Sequence, residues 1–502
     1  MSQHRFIIVM PVADRPRHIQ ACLESLQELL RCFPAPRELR VLIADDSADT
    51  AQVVANRDIA ARFSNAAMQV IHLGPEEQWA LSESLRATSP GVVGSKPHDD
   101  FGHKGQGVMR NIAYLKVAQL LKDEPDDVLI WSLDSDQEFC VKLADGRIDY
   151  GVDFFGGLDA IFSRTDAQVL TGKVVGDPPV SPAVMTANFL ADVEGFLEQM
   201  ADCDPQAACS HHGAAQGAGD AAYHDMADLF GFKPAQAYAY PCPLAGPHAE
   251  ATCFTHFAGR INSFFYGEHP TRISCYAPAE LFSTVQPART VYAGNYVFRP
   301  AALNYFIPFA ALRLRMSGPT LGRILKAELG SRFVSANLPM LHKRTVDSGG
   351  QAEFRPGIET TDATIDMSGE FERQFYGDVM LFSIEQWMND SRPASVDFSS
   401  LIDRMRGELL EKYNTRQQAI LARLSHIEAL LGDPARWWHD MPAMAHFRHF
   451  CANVQRNFGT DSSGHSRIND AARWSQWRTD LITAVDRYPA ERGAWEQALC
   501  KH

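Results

Sequence analysis

The chain has 502 residues, with 47 Lys+Arg against 61 Asp+Glu and a net charge of −14, which excludes a nucleic-acid binder by bulk charge. Its 45% hydrophobic and 22% charged residues are those of an ordinary globular protein, and they exclude wholesale disorder. The length suffices for two or three domains with sizeable cores.

Arg5–Val12 reads as a buried strand, Arg17–Cys32 as a helix, Leu39–Ala44 as a strand, Ala48–Phe63 as a helix and Met68–Leu73 as a third strand. Gly74–Gly105 is rich in Ser, Gly, Pro, Asp and His, and is expected to be a long functional or mobile loop. A helix over Gln106–Leu121 then precedes a strand over Asp127–Leu133. The alternation predicts an α/β domain with a mainly parallel sheet. From Phe154 to about Met340 the signals are mixed, and Asp202–Asp220, dense in Ala, Gly and His, predicts a lid or an insertion. Beyond about residue 370, apolar residues recur at helical spacing through Leu401–Leu431, Trp437–Phe458 and Ala471–Leu499. This predicts an all-helical C-terminal region, with Trp437, Trp438, Trp474, Trp477 and Trp495 anchoring helix packing.

A membrane-spanning helix needs about 18 consecutive apolar residues. Phe6–Val12 is only strand-sized, and Ala301–Leu314 is broken by Asn304, Pro308 and Arg313. With no signal-peptide pattern, the expectation is a soluble protein. The ten cysteines contain no C-x-x-C pair, so neither a zinc ribbon nor a disulfide scaffold is expected, and a cytoplasmic location follows.

The strongest local signal is the apolar run Val128–Leu133 ending in Asp134-Ser135-Asp136. Ligands of open α/β sheets sit at the carboxyl ends of strands, and two carboxylates there suit a divalent cation that neutralises a diphosphate. A D-x-D triplet is also common as a solvated strand-end turn. Two further strands deliver polar residues to the same edge: Met10-Pro11-Val12-Ala13-Asp14-Arg15, and Ala44-Asp45-Asp46-Ser47-Ala48-Asp49, where Ser47 or Asp49 can also cap the next helix. Gly102-His-Lys104-Gly105-Gln-Gly107-Val-Met-Arg110-Asn111 brings a glycine-bearing loop into a helix start beside two cations, as a pyrophosphate site would; a flexible turn is the plain alternative.

Together these elements resemble the nucleotide-sugar-binding half of a GT-A glycosyltransferase of the family 2 type, across roughly residues 5–345. The resemblance implies a catalytic domain over 1–345, with insertions near 74–105 and 200–250, and a separate, mainly helical region over 346–502. It implies that Pro11, Ala13, Asp14, Arg15 and Asp46 form the nucleotide pocket and that Lys104 or Arg110 lies near the diphosphate. Asp134 would face the ribose or donor sugar, and Asp136 would be the main ligand of Mn²⁺ or Mg²⁺, helped by Asp134. The long 74–105 detour departs from the family and loosens the assignment of Lys104.

Further along, Gly294-Asn295 resembles the strand facing donor sugar and acceptor, and Arg315-Met-Ser317-Gly-Pro-Thr320 stands where inverting members carry an acidic base. No carboxylate is present there. Either Glu268 or Asp347 is the base, or the enzyme retains configuration, and the late His342, followed by Lys343-Arg344, favours retention by joining the metal as a third ligand. The expected partners are a UDP- or GDP-linked sugar and an unidentified hydroxyl acceptor, and the helical region is a candidate for homo-oligomer contacts. Two other readings stay open. One is a degenerate, non-catalytic GT-A module. The other is a sugar-nucleotide nucleotidyltransferase, disfavoured because Pro11–Arg17 has no glycine. His211-His212 with Asp220 and His224-Asp225 is a weaker metal candidate, and Phe254, Phe257, Phe264, Phe265 and Tyr266 read as core or as a sugar-stacking platform.

Overall fold

The computed structural model describes residues 4–34, 36–122, 127–212, 238–292, 294–346, 354–361, 364–389 and 397–501. The chain opens with β1 (Arg5–Val12), α1 (Pro16–Cys32), β2 (Leu39–Asp45), α2 (Thr50–Phe63) and β3 (Gln69–Leu73), all within a few residues of their expected limits. β1 lies in the middle of the sheet, so both of its faces must be apolar. Phe6, Ile8 and Met10 pack with Ile19, Leu23 and Leu26 of α1 on one face. Ile7 and Val9 point to the other.

The 74–105 stretch differs from expectation. It folds as α3 (Pro75–Arg86), α4 (Pro90–Val93) and a short 3-10 turn, His98–Asp100. Pro75 starts α3 with its φ already helical, and Glu76 and Glu77 complement the helix dipole. Leu81 and Leu85 then join Ile112 of α5 (Gln106–Leu121) in the core on the second face of the sheet. A polar composition concealed a helix that needs only a narrow apolar stripe.

After β4 (Val128–Leu133) come β5 (Gln137–Glu138), β6 (Val141–Lys142), β7 (Ile148–Asp149), α6 (Phe154–Arg164) and β8 (Val169–Gly176). Helices α7 (Pro182–Ala201) and α8 (Glu250–Arg260) follow, then β9 (Gln286–Pro287), β10 (Asn295–Phe298), α9 (Ser317–Leu329) and β11 (Phe333–His342). The main sheet runs β3-β2-β1-β4-β10-β8-β11-β5, with β9 also paired to β11. Strands β1 to β4 are parallel, and β10 is antiparallel to both β4 and β8. Because β11 is parallel to β8, the carboxyl ends of β1, β2, β4, β8 and β11 share one edge with the start of β10.

The small hairpin β12 (Glu359–Thr361) and β13 (Thr364–Asp366) precedes α10 (Ser368–Asn389), α11 (Phe398–Gly432), α12 (Met444–Phe458), α13 (Ser463–Asn469) and α14 (Ala471–Lys501), the helical region expected from the periodicity. Phe254, Phe257, Phe264 and Phe265 are at most 4% exposed and share a core with Trp438, Phe447 and Phe450, so they are interior residues. That core runs from α7 and α8 into the C-terminal helices. At its far end α14 returns to the sheet: Trp495 is fully buried and donates its indole N–H to the Leu303 carbonyl, and Glu491 accepts the Gly91 N–H. Among the described residues no helix is long and apolar enough to cross a membrane.

Candidate active site

The shared strand edge is where the sequence-derived residues meet. Amides of odd-numbered β1 residues face β4, as Arg5 shows by donating to Asp127, and β4 pairing ends at Val9. Pro11 therefore lacks an N–H where no strand remains to accept one. Past β1 the chain turns sharply at Asp14 (φ 52°), whose N–H bonds Ser47 Oγ at 2.8 Å. The Asp14 carboxylate takes His103 Nε2 at 2.5 Å. The His103 ring stacks on Phe354, with centroids 4.0 Å apart and planes 11° from parallel. Arg15 Nε donates to the Phe354 carbonyl at 2.8 Å. Ala13 lies partly exposed in this turn.

The second strand end serves the scaffold. Asp45 is fully buried and accepts from Ser47, Asn56 and His72; burial opposes its ionisation, but those bonds hold it below the usual carboxylate range. Asp46 accepts the backbone N–H groups of Lys104 at 2.8 Å and Gly105 at 2.9 Å, and its Oδ1 lies 2.9 Å from Lys104 Nζ. The N–H groups expected to face a diphosphate at the start of α5 are thus taken by Asp46. Gly105 makes the turn possible at φ 100°, a conformation a side chain would disfavour. Lys104 is 2% exposed, with its ammonium over the Phe101 ring, and serves as a strut. Burial pushes that ammonium below its ordinary range, with Asp46 opposing.

The two carboxylates of the D-x-D turn take different surroundings. Asp134 Oδ1 accepts from Arg110 and from Gln106, so Arg110, itself buried, reaches the turn from α5. A Cβ at Gly294 would come within 2.4 Å of Asp134 Oδ2, so any larger residue there would push that carboxylate aside. Asp136 follows the turn across to β11, because β5 pairs with Leu341 and His342. There it meets two guanidiniums and an imidazole: Oδ2 lies 3.3 Å from both Arg15 Nη1 and Arg344 Nη1, and Oδ1 lies 3.5 Å from His342 Nε2. Asp136 is 5% exposed, and burial alone would raise its carboxyl. His342, Arg344 and Arg15 outweigh that and hold it well below the usual carboxylate range.

Oδ1 of Asp136 has no hydrogen-bond partner among the described residues. Opposite it, His342 donates Nδ1–H to the Asp177 carbonyl at 2.6 Å, which turns Nε2 toward Asp136; in the neutral ring that nitrogen carries the lone pair a cation would take. An unsatisfied buried carboxylate oxygen facing an imidazole lone pair fits a divalent cation better than it fits a hydrogen bond. Asp177, at the end of β8, also accepts the Arg344 N–H at 2.9 Å, so one loop orients both ring and guanidinium. Tyr292 lies close to both D-x-D carboxylates; burial, then Asp134 and Asp136, push its hydroxyl up, so it stays protonated.

Other expected residues take structural places. Asn295 is buried, accepts the Trp131 indole N–H at 3.0 Å and donates to the Lys173 and Leu338 carbonyls, tying four strands together. Arg315 pairs with Glu370 at 2.9 Å, and Ser317 opens α9 with its hydroxyl on the Leu314 carbonyl. Glu268 is held by Thr345 and lies 3.5 Å from Arg260, and Lys343 turns away to Glu138 at 3.0 Å. Asp347, Asp220, His224 and Asp225 lie outside the described residues. Arg355, which donates to the Arg344 carbonyl and is pushed well down by burial and by Arg344 and Arg15, is a site cation that sequence reasoning missed. Nothing local in its sequence marks it.

The chain thus forms the mainly parallel sheet, with a strand-end edge of acidic residues and a helical C-terminal region, expected from its sequence. No family model matches the chain, and neither does any curated protein. Among solved structures it is similar to a mannosyltransferase from Pyrobaculum calidifontis in complex with GDP-Man and Mn²⁺ (TM-score 0.35, 9% identity, covering 97% of this chain and 87% of that one). It is also similar to mannosyl-3-phosphoglycerate synthase from Rubrobacter xylanophilus (TM-score 0.34, 11% identity, 79% of each chain). A third is glucosyl-3-phosphoglycerate synthase from Mycobacterium tuberculosis, in complex with Mn²⁺, UDP and glucosyl-3-phosphoglycerate (TM-score 0.28, 11% identity, 68% of this chain and 72% of that one). At these scores the functional reading rests on the chain's own strand-end residues.

Proposed function

We propose that the chain is a metal-dependent glycosyltransferase that moves a hexosyl group from a UDP- or GDP-linked donor to a hydroxyl acceptor, with retention of configuration. The observation that carries this reading is the buried, unpartnered Oδ1 of Asp136 facing His342 Nε2, with two guanidiniums on its other oxygen. Asp136 and His342 would hold Mn²⁺ or Mg²⁺, with Asp134 beside them. The bound ion would offset charge developing on the leaving diphosphate.

The protein's own groups do the rest. Arg15 and Arg344, now sharing one carboxylate oxygen, would turn to the diphosphate, with Arg355 behind them; three close guanidiniums are more stable around an anion than around each other. By taking Nδ1–H, the Asp177 carbonyl would leave His342 Nε2 free to help hold a cation beside Asp136. The turn through Pro11, Ala13 and Asp14, with His103 and Phe354, would take the nucleoside, and Asp46 fixes that pocket through the loop at Lys104. Gly294 leaves room for Asp134 to reach the sugar. Retention is favoured because the start of α9 presents Ser317 and Thr320 and no acid.

The test is nucleoside diphosphate release from a panel of UDP- and GDP-sugars with Mn²⁺, followed by proton NMR of the product anomer. Release that requires Mn²⁺ and is lost in Asp136→Ala supports the reading. Consumption of a nucleoside triphosphate and a sugar phosphate instead would assign a nucleotidyltransferase. An inverted product would point to Glu370, which is 4% exposed, bonded to Arg315 through Oε1 and without a hydrogen bond at Oε2 among the described residues.

A further inference from the structure

The insertion between α7 and β9 carries a second cluster of metal-binding side chains, chemically unlike the first. Cys253 Sγ lies 3.4 Å from Cys209 Sγ, 3.6 Å from Cys242 Sγ and 3.3 Å from His248 Nε2. Cys242 Sγ lies 3.2 Å from His248 Nε2, and the donor atoms of Cys209, His212, Cys242 and His248 are all within 4.8 Å of one another, His212 being the exposed member of that group. All three cysteines are free thiols. A tetrahedral ion with Zn–S of about 2.3 Å and Zn–N of about 2.0 Å spaces its ligand atoms by roughly 3.5 to 3.8 Å. A disulfide would need its sulfurs about 2.05 Å apart. Three thiols and an imidazole nitrogen at these separations are therefore arranged as a slightly contracted zinc shell.

The backbone builds the cluster independently of the side chains. An antiparallel bridge pairs Ala208 with Ala249, the Cys209 N–H donates to the His248 carbonyl at 2.9 Å, and the Cys242 N–H donates to the His211 carbonyl at 3.2 Å. Glu250, buried at the start of α8, accepts from both the N–H and the hydroxyl of Ser210, and so clamps the segment next to Cys209. The orienting contacts also suit a metal. His248 Nδ1–H donates to the Gly246 carbonyl at 2.8 Å, which fixes Nε2 as the lone pair aimed at the sulfurs. The N–H of His211 points at Cys209 Sγ at 3.4 Å, and that of Leu244 at Cys242 Sγ, and such N–H groups offset thiolate charge.

We infer that Cys209, Cys242, His248 and Cys253 form a structural Cys₃His zinc site that closes the insertion onto α8. With four protein donors the shell is complete, so the site is a staple and not a catalytic centre. It ties residues on either side of the 213–237 stretch to the aromatic core shared by α7, α8 and the C-terminal helices. Soft thiolates select zinc over the Mn²⁺ or Mg²⁺ suited to the Asp136–His342 pair. None of its donors belongs to that pair, so the inference stands whether or not the glycosyltransferase reading does.

The test is the metal content of the full-length protein, purified without chelator and measured by plasma mass spectrometry. The expected value is about one zinc per chain, as a closed four-ligand site requires. A mercurial thiol reagent should release it stoichiometrically to a chromogenic chelator, and Co²⁺ exchange should give an intense sulfur-to-cobalt absorption. Cys253→Ser and His248→Ala should lose most of the zinc, whereas Asp136→Ala, in the other cluster, should keep it. Where a cysteine variant does not fold, the mercurial release and the cobalt spectrum of the unmodified chain still decide. Zinc absent from chain produced in zinc-supplemented medium, zinc not released by thiol blocking, or a Cys242–Cys253 disulfide in non-reducing peptide maps would each overturn the inference.

Discussion

The two donor clusters solve opposite problems of burial. At the strand-end edge, a carboxylate and an imidazole are enclosed by guanidiniums, so the cluster holds excess positive charge that an anionic ligand would balance. In the insertion, thiols and an imidazole sit among backbone N–H groups with Glu250 and His212 alongside, and four protein donors are present without a ligand. The first arrangement leaves an oxygen and several N–H donors for a substrate and so suits turnover. The second leaves nothing open and so suits stability.

The largest expected effect is on the first cluster. Asp136→Ala should reduce transfer by about 10³-fold or more, because both the cation and the orientation of Arg15 and Arg344 depend on that carboxylate. Far-UV circular dichroism and zinc content should stay unchanged; loss of both would mean that the two clusters are not independent.

Burial that nearby cations, Arg416 and Arg315, do not offset sharpens the contrast. Asp378, on α10, accepts from Tyr413 at 2.6 Å and from Gln374 at 2.8 Å, but burial outweighs those bonds and pushes its carboxyl from 3.8 up to about 6. The folded state therefore holds a proton that the unfolded chain has released between pH 3.8 and about 6, and this group's contribution to stability falls as pH rises through that window. Asp378→Asn removes the effect. Relative to the parent, the variant should gain up to about 3 kcal/mol by pH 7, with the difference vanishing toward pH 4, as read by thermal melts across pH. A difference independent of pH would mean that Asp378 is ionised throughout.

Arg344→Ala should weaken nucleoside diphosphate binding by about 10- to 100-fold, the worth of a charge-assisted bond or two. Lys343→Ala, one residue earlier, should change binding and stability by less than about 1 kcal/mol, since Lys343 is 39% exposed and pairs with Glu138 near the surface. Equal losses in the two variants would remove the distinction between the residue that faces Asp136 and the one that faces solvent.

How much of this was legible in the sequence follows the same division. Asp134, Asp136 and His342 could be read because each ends a strand, and parallel strands bring their carboxyl ends to one edge whatever the loops do. Lys343 and Arg344 looked equivalent, because alternation along the chain end of β11 could not say which turned inward. Arg355, Phe354 and Tyr292 were illegible: they reach the edge from irregular segments, with no periodicity to place them. Asp46 and Lys104 were legible as functional loci, but their mutual pairing was not. The cysteine cluster escaped for a similar reason. Its donors flank the 213–237 stretch with no C-x-x-C pair, so a rule based on spacing passed over them. The α3 helix was hidden by a polar composition that needed only Leu81 and Leu85 to pack.

The most direct test of the central claim is calorimetric titration of the full-length protein with UDP and GDP, with and without Mn²⁺, alongside Asp136→Ala. The account predicts binding of one of the two nucleotides that strengthens with Mn²⁺, and loss of that strengthening in the variant. Binding of neither nucleotide, or Mn²⁺-dependent binding that survives in Asp136→Ala, would contradict the assignment of the strand-end cluster as a metal-assisted nucleotide-sugar site.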